Sequence, residues 1–286
     1  MIRLLLLLIL TASVATAQSR KGSDEFVESM GSAIARDSAY AIGGSTTPLS
    51  GVHKFGRHPA VNTGDLPVDI YDCSSVSVAH EYQWGAAAEP YYVSSSNAGN
   101  TEDFTVSGLD EDYLEKTETV TLSGVTTVPL PGLWTRVNRA FTVGPTALVG
   151  TVYVHDQADA GADGVPDAES NYRSCVLGPI GQTLQAIYTV PANFTGYVHQ
   201  LCLGVNSISG GATEVASFNV SKREFGGTWR TIHIYGLTSI GAGSQCFDYV
   251  LPIALPPKTD VRARVFYVAT SGVDVYATFD IVLWPY

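Results

Sequence analysis

The chain has 286 residues, of which 45% are hydrophobic and 15% are charged. This balance is too apolar for a disordered chain and too poor in charge for a long-helix protein, and the length allows one large β domain or two domains of ordinary size. The net charge of −11 comes with only short basic patches. Nucleic-acid binding is therefore not expected, because phosphate recognition needs clustered Lys and Arg.

Residues 1–17 have the three parts of a secretory signal peptide. Arg3 supplies a positive charge, residues 4–10 form an unbroken apolar run, and residues 15–17 form a small-residue cleavage site. Cleavage after Ala17 predicts a secreted or periplasmic protein. A retained leader would instead be an apolar arm buried against a partner, because such side chains do not stay in water alone. The sequence leaves both alternatives open.

The chain after the leader changes from a polar segment to strand patterns. Residues 18–50 are polar and mixed, which predicts a linker with a short helix. Residues 51–155 and 172–286 hold short apolar alternations separated by turns rich in Gly and Pro. In the last alternation the apolar residues of one face are Val275, Ala277, Phe279, Ile281 and Leu283. The sequence therefore predicts an all-β fold with two β-sandwich or jelly-roll-like regions behind an N-terminal arm.

An acidic segment, residues 156–171, separates the two predicted regions and has the composition of an exposed loop. Its Asp159, Asp163 and Asp167 resemble a calcium-binding loop, in which carboxylates at alternate positions surround a hard cation. Gly161 stands where such loops carry a further ligand, so a solvated acidic loop is the alternative interpretation. We predict no cofactor, with calcium at these three carboxylates as the alternative, and we expect deletion of residues 158–167 to be tolerated.

The four cysteines, at positions 73, 175, 202 and 246, are widely spaced and form no C-x-x-C pair. A zinc ribbon or a thioredoxin motif is therefore absent from the sequence. Export would favour two disulfides, for which three pairings are open. Without export, buried free thiols are expected.

Common catalytic motifs are missing from the sequence. It contains no G-x-S-x-G nucleophile elbow, no P-loop and no G-x-G-x-x-G motif. His80-Glu81 begins like a zinc-protease motif, but no second His follows at the required spacing. The six histidines are scattered, so we predict a protein without enzymatic activity.

Four aromatic residues cluster beside a stretch of small residues: Tyr82, Trp84, Tyr91 and Tyr92. Aromatic side chains in such a cluster stack on sugar rings or anchor a protein interface, which makes these four the candidate ligand-binding residues. The alternative is that they cap the core of the sandwich.

Nine short segments, spread over the chain from residue 51 onward, together form an ordered pattern. They are residues 51–59 (GVHKFGRHP), 68–72 (VDIYD), 108–113 (GLDEDY), 118–124 (ETVTLSG), 134–140 (WTRVNRA), 182–184 (QTL), 186–192 (AIYTVPA), 255–260 (LPPKTD) and 279–283 (FDIVL). In this order they resemble a poorly characterised family of virion structural proteins of tailed, largely marine phages that carry a VHKFGR-type motif. The resemblance implies a β-rich particle component and carries no enzymatic residue.

The resemblance predicts a virion protein that decorates the head or attaches to the head or tail. Its partners would be other virion proteins and further copies of itself, since most particle components are symmetric oligomers. The alternative is an exported β-sandwich protein that binds carbohydrate or a host surface, with glycans as partners. A secreted hydrolase with an unrecognised site is the third hypothesis.

Overall fold

The computed structural model describes residues 50–73, 81–144, 146–158, 160–207, 213–240 and 242–285. Within these residues the protein consists of β-strands, turns and one short 3-10 turn at Glu169–Asn171, which confirms the predicted all-β class. No helix in these ranges is long and apolar enough to cross a membrane. The predicted leader or arm (1–17) and nearly all of the predicted linker with its helix (18–50) lie outside the described residues.

The strands are, in chain order, β1 (Ser50–Val61), β2 (Val68–Asp69), β3 (Glu89–Ser95), β4 (Asp103–Leu109), β5 (Glu115–Thr121), β6 (Val128–Trp134), β7 (Arg136–Val143), β8 (Thr151–His155), β9 (Tyr172–Leu177), β10 (Ile187–Thr189), β11 (Phe194–Ser207), β12 (Thr213–Arg223), β13 (Arg230–Ile240), β14 (Ala242–Leu255), β15 (Asp260–Val268) and β16 (Val273–Pro285). Residues Val52–Tyr286 form one compact unit. Its strands make four antiparallel sheets, which pair into two sandwiches.

The C-terminal sandwich packs the sheet β1-β16-β11-β14 on the sheet β10-β15-β12-β13, with β2 added beside β15. Alternate residues of β11 and β16 point inward, including Leu201, Leu203 and Phe279, and meet Phe218 and Val265 of the other sheet. The predicted apolar face of the last strand is confirmed, because every second residue from Val273 to Leu283 is buried. This alternation arises because successive side chains of a strand point to opposite faces.

The N-terminal sandwich packs the sheet β6-β3-β8-β9 on the sheet β5-β4-β7. Its core contains Tyr91, Phe104, Val106, Trp134 and Val152. A third cluster lies between the two sandwiches and is rich in tyrosine, with Tyr153 and Tyr172 from the N-terminal sandwich and Ile187 from the C-terminal one among its members. We call the contact zone between the two sandwiches the junction.

The structure divides the chain at other places than the sequence suggested. Strands β1 and β2 pair with β16 and β15, so residues 50–69 belong to the C-terminal sandwich rather than to a region 51–155. Strand β9 pairs with β8 and so belongs to the N-terminal sandwich rather than to a region 172–286. The physical reason is that alternation identifies a strand and its buried face but carries no information about which distant strand it pairs with.

The acidic segment 156–171 joins two neighbouring strands of one sheet instead of linking the sandwiches. It connects β8 to β9, and several of its residues pack against the N-terminal sandwich: Ala160, Gly164 and Pro166 are buried. Gly164 has a φ of +68°, and a Cβ atom there would lie 2.1 Å from the Ser95 carbonyl oxygen. The middle of the segment therefore packs closely against the N-terminal sandwich. The expectation of an exposed loop does not hold for this part.

Both pairs of cysteines form disulfides, which selects one of the three open pairings. Cys73 is bonded to Cys175 of β9, and Cys202 of β11 is bonded to Cys246 of β14. The first bond ties the segment after β2 to the N-terminal sandwich and lies in the tyrosine-rich cluster of the junction. The second connects directly paired residues of neighbouring strands.

Candidate functional site at the junction

The four predicted ligand-binding aromatics do not form one exposed platform. Tyr91 is fully buried in the N-terminal core, where its hydroxyl donates to the Thr135 carbonyl oxygen at 3.3 Å. Tyr92 is half-buried on the same strand, stacked on His155 with ring centroids 6.2 Å apart. Burial raises the pKa of Tyr91 well above its usual range. The two residues of β3 thus serve the N-terminal sandwich.

The other two predicted aromatics meet at the junction. Tyr82 is buried and its hydroxyl donates to the Val137 carbonyl oxygen, and burial raises its pKa to about 12. Its ring contacts the half-buried Trp84 edge-on, with centroids 4.9 Å apart. Trp84 in turn packs on Trp229, at 5.2 Å between centroids. The core-capping interpretation therefore describes the position of Tyr82, while Trp84 belongs to a larger cluster that includes Trp229.

Arginine side chains cover the rings of this tryptophan pair. The guanidinium carbon of Arg262 lies 3.9 Å from the Trp229 ring centroid, and that of Arg223 lies 4.8 Å from it. Arg136 lies 5.4 Å from the Trp84 centroid. At these distances a cation is attracted to the negative face of the ring. A sugar that stacked on either tryptophan would have to replace an arginine that is already there.

Asp260 connects these arginines across the junction. It is 3% exposed, and its two carboxylate oxygens accept hydrogen bonds from Arg136 (3.0 and 3.2 Å) and Arg223 (3.0 and 2.5 Å). The Thr189 hydroxyl donates to the same carboxylate at 2.6 Å. Strand register places it there, since Asp260 of β15 lies directly beside Thr189 of β10 and Arg223 of β12. Only Arg136 comes from the N-terminal sandwich, so this ion pair bridges the two.

A second buried carboxylate, Asp69, continues the network. It is fully buried and accepts hydrogen bonds from Arg262 Nη1 at 3.2 Å and from the Tyr82 backbone N–H at 2.8 Å. Arg264 forms an ion pair with it, with Nε 2.9 Å from Oδ1. Burial raises the pKa of Asp69, and the two arginines oppose that rise. Arg264 also binds Glu81. Since Arg262 reaches from Asp69 to the Trp229 ring, the charged and aromatic groups form one continuous network.

The exposed end of the junction lies where three turns meet. The rings of Tyr113 and Phe225 are in edge contact with centroids 5.5 Å apart, and Lys258 Nζ lies 5.1 Å from each ring. Phe225 is 65% exposed, and Tyr113 and Lys258 have the left-handed φ values of +66° and +60°. Residues other than glycine rarely adopt this backbone conformation, because it is strained. The surrounding turns must therefore stabilise Tyr113 and Lys258 enough to offset that strain energy. This is the most accessible aromatic surface of the junction.

No local sequence pattern marks Trp229, Phe225 or the four arginines as site residues. These residues are far apart in the chain and form no motif. Single arginines spread along the chain are also typical of a solvated surface, so composition does not single them out as site residues.

A buried serine and histidine make the contact that most resembles a catalytic pair. Ser94 Oγ lies 2.9 Å from His155 Nε2 and also donates to the Gly164 carbonyl oxygen at 2.7 Å. Both side chains are fully buried, and burial lowers the pKa of His155 to about 4. A substrate carbonyl cannot reach a hydroxyl in that position. The pair instead anchors the middle of the acidic segment to β3 and β8.

Two of the three predicted calcium ligands, Asp163 and Asp167, are held by partners within their own segment. Asp163 accepts from the Val165 backbone N–H at 3.1 Å, and Asp167 accepts from the Gln157 side chain at 2.5 Å. Asp159 lies outside the described residues. In the part of the chain that the structure describes, no three His, Cys, Asp or Glu side chains are placed to hold a metal ion. Calcium binding therefore stays a prediction that depends on Asp159.

Comparison with known protein families and with curated proteins finds no match for this chain. Among solved structures, the fold is similar to that of a chain in the empty virus-like particle of Cowpea Mosaic Virus. The TM-score is 0.22 at 7% identity, and the match covers 68% of this chain and 80% of that chain. It is also similar to the VP2 subviral particle of infectious bursal disease virus, with a TM-score of 0.21, 9% identity and coverage of 82% and 72%.

A carbohydrate-binding protein is found at the same level of similarity. The family 11 carbohydrate-binding module from Clostridium thermocellum, in complex with a mixed-linked tetrasaccharide, gives a TM-score of 0.22 with 10% identity and coverage of 75% of this chain and 94% of that chain. Similarities this weak do not distinguish a particle component from a binding module.

Proposed function

We propose that this chain is a structural protein of a virus particle, of the tailed-phage class that its sequence resembles. It decorates the head or attaches to the head or tail. It performs no catalytic step and binds no nucleic acid. Its partners are other virion proteins and further copies of itself, and its location is the virion.

The observation that supports this proposal is the bridge between Arg136 and the buried carboxylate of Asp260. A protein in a particle shell must keep its conformation while neighbouring subunits exert forces on it. Two sandwiches joined by a flexible linker would bend under such a load. Here the buried Arg136–Asp260 ion pair and the Cys73–Cys175 disulfide join the sandwiches at two points, and Arg223 of the C-terminal sandwich holds Asp260 in place.

Purified particles test the proposal. Particles banded on a density gradient from the producing host should contain peptides of this chain in a fixed ratio to the major capsid protein, before and after a high-salt wash. A chain found only in the culture medium, with its N-terminus at Gln18, would reject the virion assignment and favour the exported alternative.

The exposed aromatic end of the junction favours a second candidate, an exported protein that binds carbohydrate. Phe225 and Tyr113 present ring surface beside the Lys258 ammonium, a combination that suits a sugar ring with hydroxyl acceptors. A glycan array probed with the purified chain is the test. Binding that is lost in Phe225→Ala and Tyr113→Ala, but kept in Val149→Ser at an exposed site away from this surface, would support this candidate. An array without any bound glycan would reject it.

A further inference from the structure

Strand β14 leaves its sheet for four residues near the middle of its length. Val198 of β11 pairs with Ile253 and Gln200 pairs with Asp248, so residues 249–252 lie opposite the single residue His199. Extra residues in one strand of a pair are pushed out of the ladder. Val250 and Leu251 consequently project into solvent with 91% and 85% of their surface exposed, more than any other large apolar residue in the described ranges. We call these two side chains the knob.

The two knob residues form part of the lining of an open pocket of about 470 Å³, together with Asp248. Its walls include His233 and Tyr235 of β13 and Phe247 and Tyr249 of β14. The two tyrosine hydroxyls are 2.5 Å apart, His233 Nδ1 lies 3.0 Å from the Tyr249 hydroxyl, and the Tyr235 and Phe247 rings are 4.2 Å apart between centroids. These contacts hold the aromatic walls in position before anything binds, which lowers the entropy lost on binding.

Both strands of this surface are edges. In the described part of the chain β14 pairs only with β11, and β13 pairs only with β12. Edge strands that carry exposed apolar residues associate readily, and protein chains commonly cover or blunt them. Here the bulge interrupts the edge of β14, which disfavours continuous strand pairing and leaves the knob as the prominent feature.

We propose that the knob and the pocket are the interface through which two copies of this chain associate around a two-fold axis. Val250 and Leu251 of each copy enter the pocket of the other. A two-fold contact requires a surface that is complementary to itself, and a projection directly beside a recess on one face meets that requirement. A lipid surface fits less well, because surfaces that bind anionic headgroups carry basic residues and no Lys or Arg lines this pocket.

This interface deepens the proposed role in assembly by naming a surface for self-association. Its test uses the purified full-length chain in solution, so its failure can be distinguished from the failure of the virion assignment, which the content of particles decides.

Sedimentation velocity over a concentration series tests the interface directly. The wild-type chain should form dimers, and the Val250→Ser/Leu251→Ser variant should raise the dimer dissociation constant about a hundredfold. Val149→Ser, which changes an apolar residue 60% exposed in the other sandwich, is the matched control and should leave the dissociation constant unchanged. Circular dichroism and thermal melting of all three proteins check that the folds are equal.

Hydrogen exchange gives a second readout that does not depend on a variant. Backbone amides of β13 and of residues 243–253 should exchange more slowly at dimer-forming concentrations than in dilute solution. A monomer at every concentration, protection confined to other strands, or equal weakening by the control would overturn the interface. If the chain stays monomeric and cosediments with vesicles of anionic and zwitterionic lipid, and if the Val250→Ser/Leu251→Ser variant does not, the knob binds a membrane and the dimer interface is rejected.

Discussion

Arg136 and Asp260 lie 124 positions apart in the chain, yet they form a buried ion pair in which both carboxylate oxygens accept from one guanidinium. Each is almost completely shielded from water, with 5% and 3% exposure. Removing one partner of a buried pair leaves the other charge without compensation, which is far more costly than the loss of a surface pair. The stability of the junction should therefore depend strongly on this contact.

The first prediction concerns that carboxylate. Asp260→Asn should lower the free energy of unfolding by about 3–5 kcal/mol, because two arginines lose their counter-charge in a buried site. The control is Asp280→Asn, which removes a partly exposed partner of His53 and should cost less than about 1 kcal/mol. Urea unfolding measures both. Equal losses in the two variants would show that the Asp260 network does not hold the junction together.

The second prediction concerns pH. Burial lowers the pKa of Lys54 from 10.5 to about 7, and its ammonium donates to the Asn138 carbonyl oxygen. Between these two pH values the unfolded chain holds a proton that the folded protein lacks, so this residue makes stability rise with pH from about 7 to 10.5. Below about pH 7 the lysine is charged in the folded protein as well, and the whole cost of burying that charge then lowers the free energy of unfolding.

Replacing this lysine by an apolar residue of similar length should remove that pH dependence. Lys54→Met should be more stable than the wild type by roughly a few kcal/mol at pH 6.5, and the difference should shrink towards pH 10. Urea unfolding at several pH values gives the comparison. Parallel curves for the two proteins would mean that Lys54 titrates alike in the folded and unfolded states.

The third prediction compares two glycines with nearly the same φ. Gly164 and Gly226 have φ values of +68° and +71°, but a Cβ atom meets the Ser95 carbonyl oxygen at the first position and nothing within 4 Å at the second. Gly226→Ala should cost about 1 kcal/mol for the left-handed backbone alone. Gly164→Ala should cost a further 1–3 kcal/mol, roughly, because the acidic segment must move off β3. Thermal unfolding that gave equal losses would contradict the close packing of that segment.

The fourth prediction concerns the disulfides. The bond between Cys202 and Cys246 closes a separation of 44 residues, and the bond between Cys73 and Cys175 closes one of 102. Chain entropy alone gives about 4 and about 4.7 kcal/mol for loops of these lengths. Cys73→Ala/Cys175→Ala should therefore destabilise more than Cys202→Ser/Cys246→Ser, and the gap should widen because the first pair is also buried in the junction. Calorimetry under oxidising conditions measures both; unchanged melting temperatures would show that the thiols are not bonded in solution.

The fold class could be predicted from the sequence because strands leave a local signal. Alternation along β16 identified its buried face. The same signal did not show that β1 pairs with β16 or that β9 pairs with β8, since pairing partners are chosen by contacts between distant segments. The boundaries of the two sandwiches were therefore misplaced.

Sequence by itself determined that this protein is built from strands and which face of a strand is buried. Both follow from the order of neighbouring residues, because successive side chains of a strand point to opposite faces. Only the tertiary structure decided which charges are buried and what they bind. Asp69 and Asp260 look like ordinary surface acids in the sequence, and Trp229 looks like an isolated aromatic residue. Their network exists because strand register and the contact of two sandwiches bring together side chains that are distant in the chain, and burial then makes each charge depend on its partner.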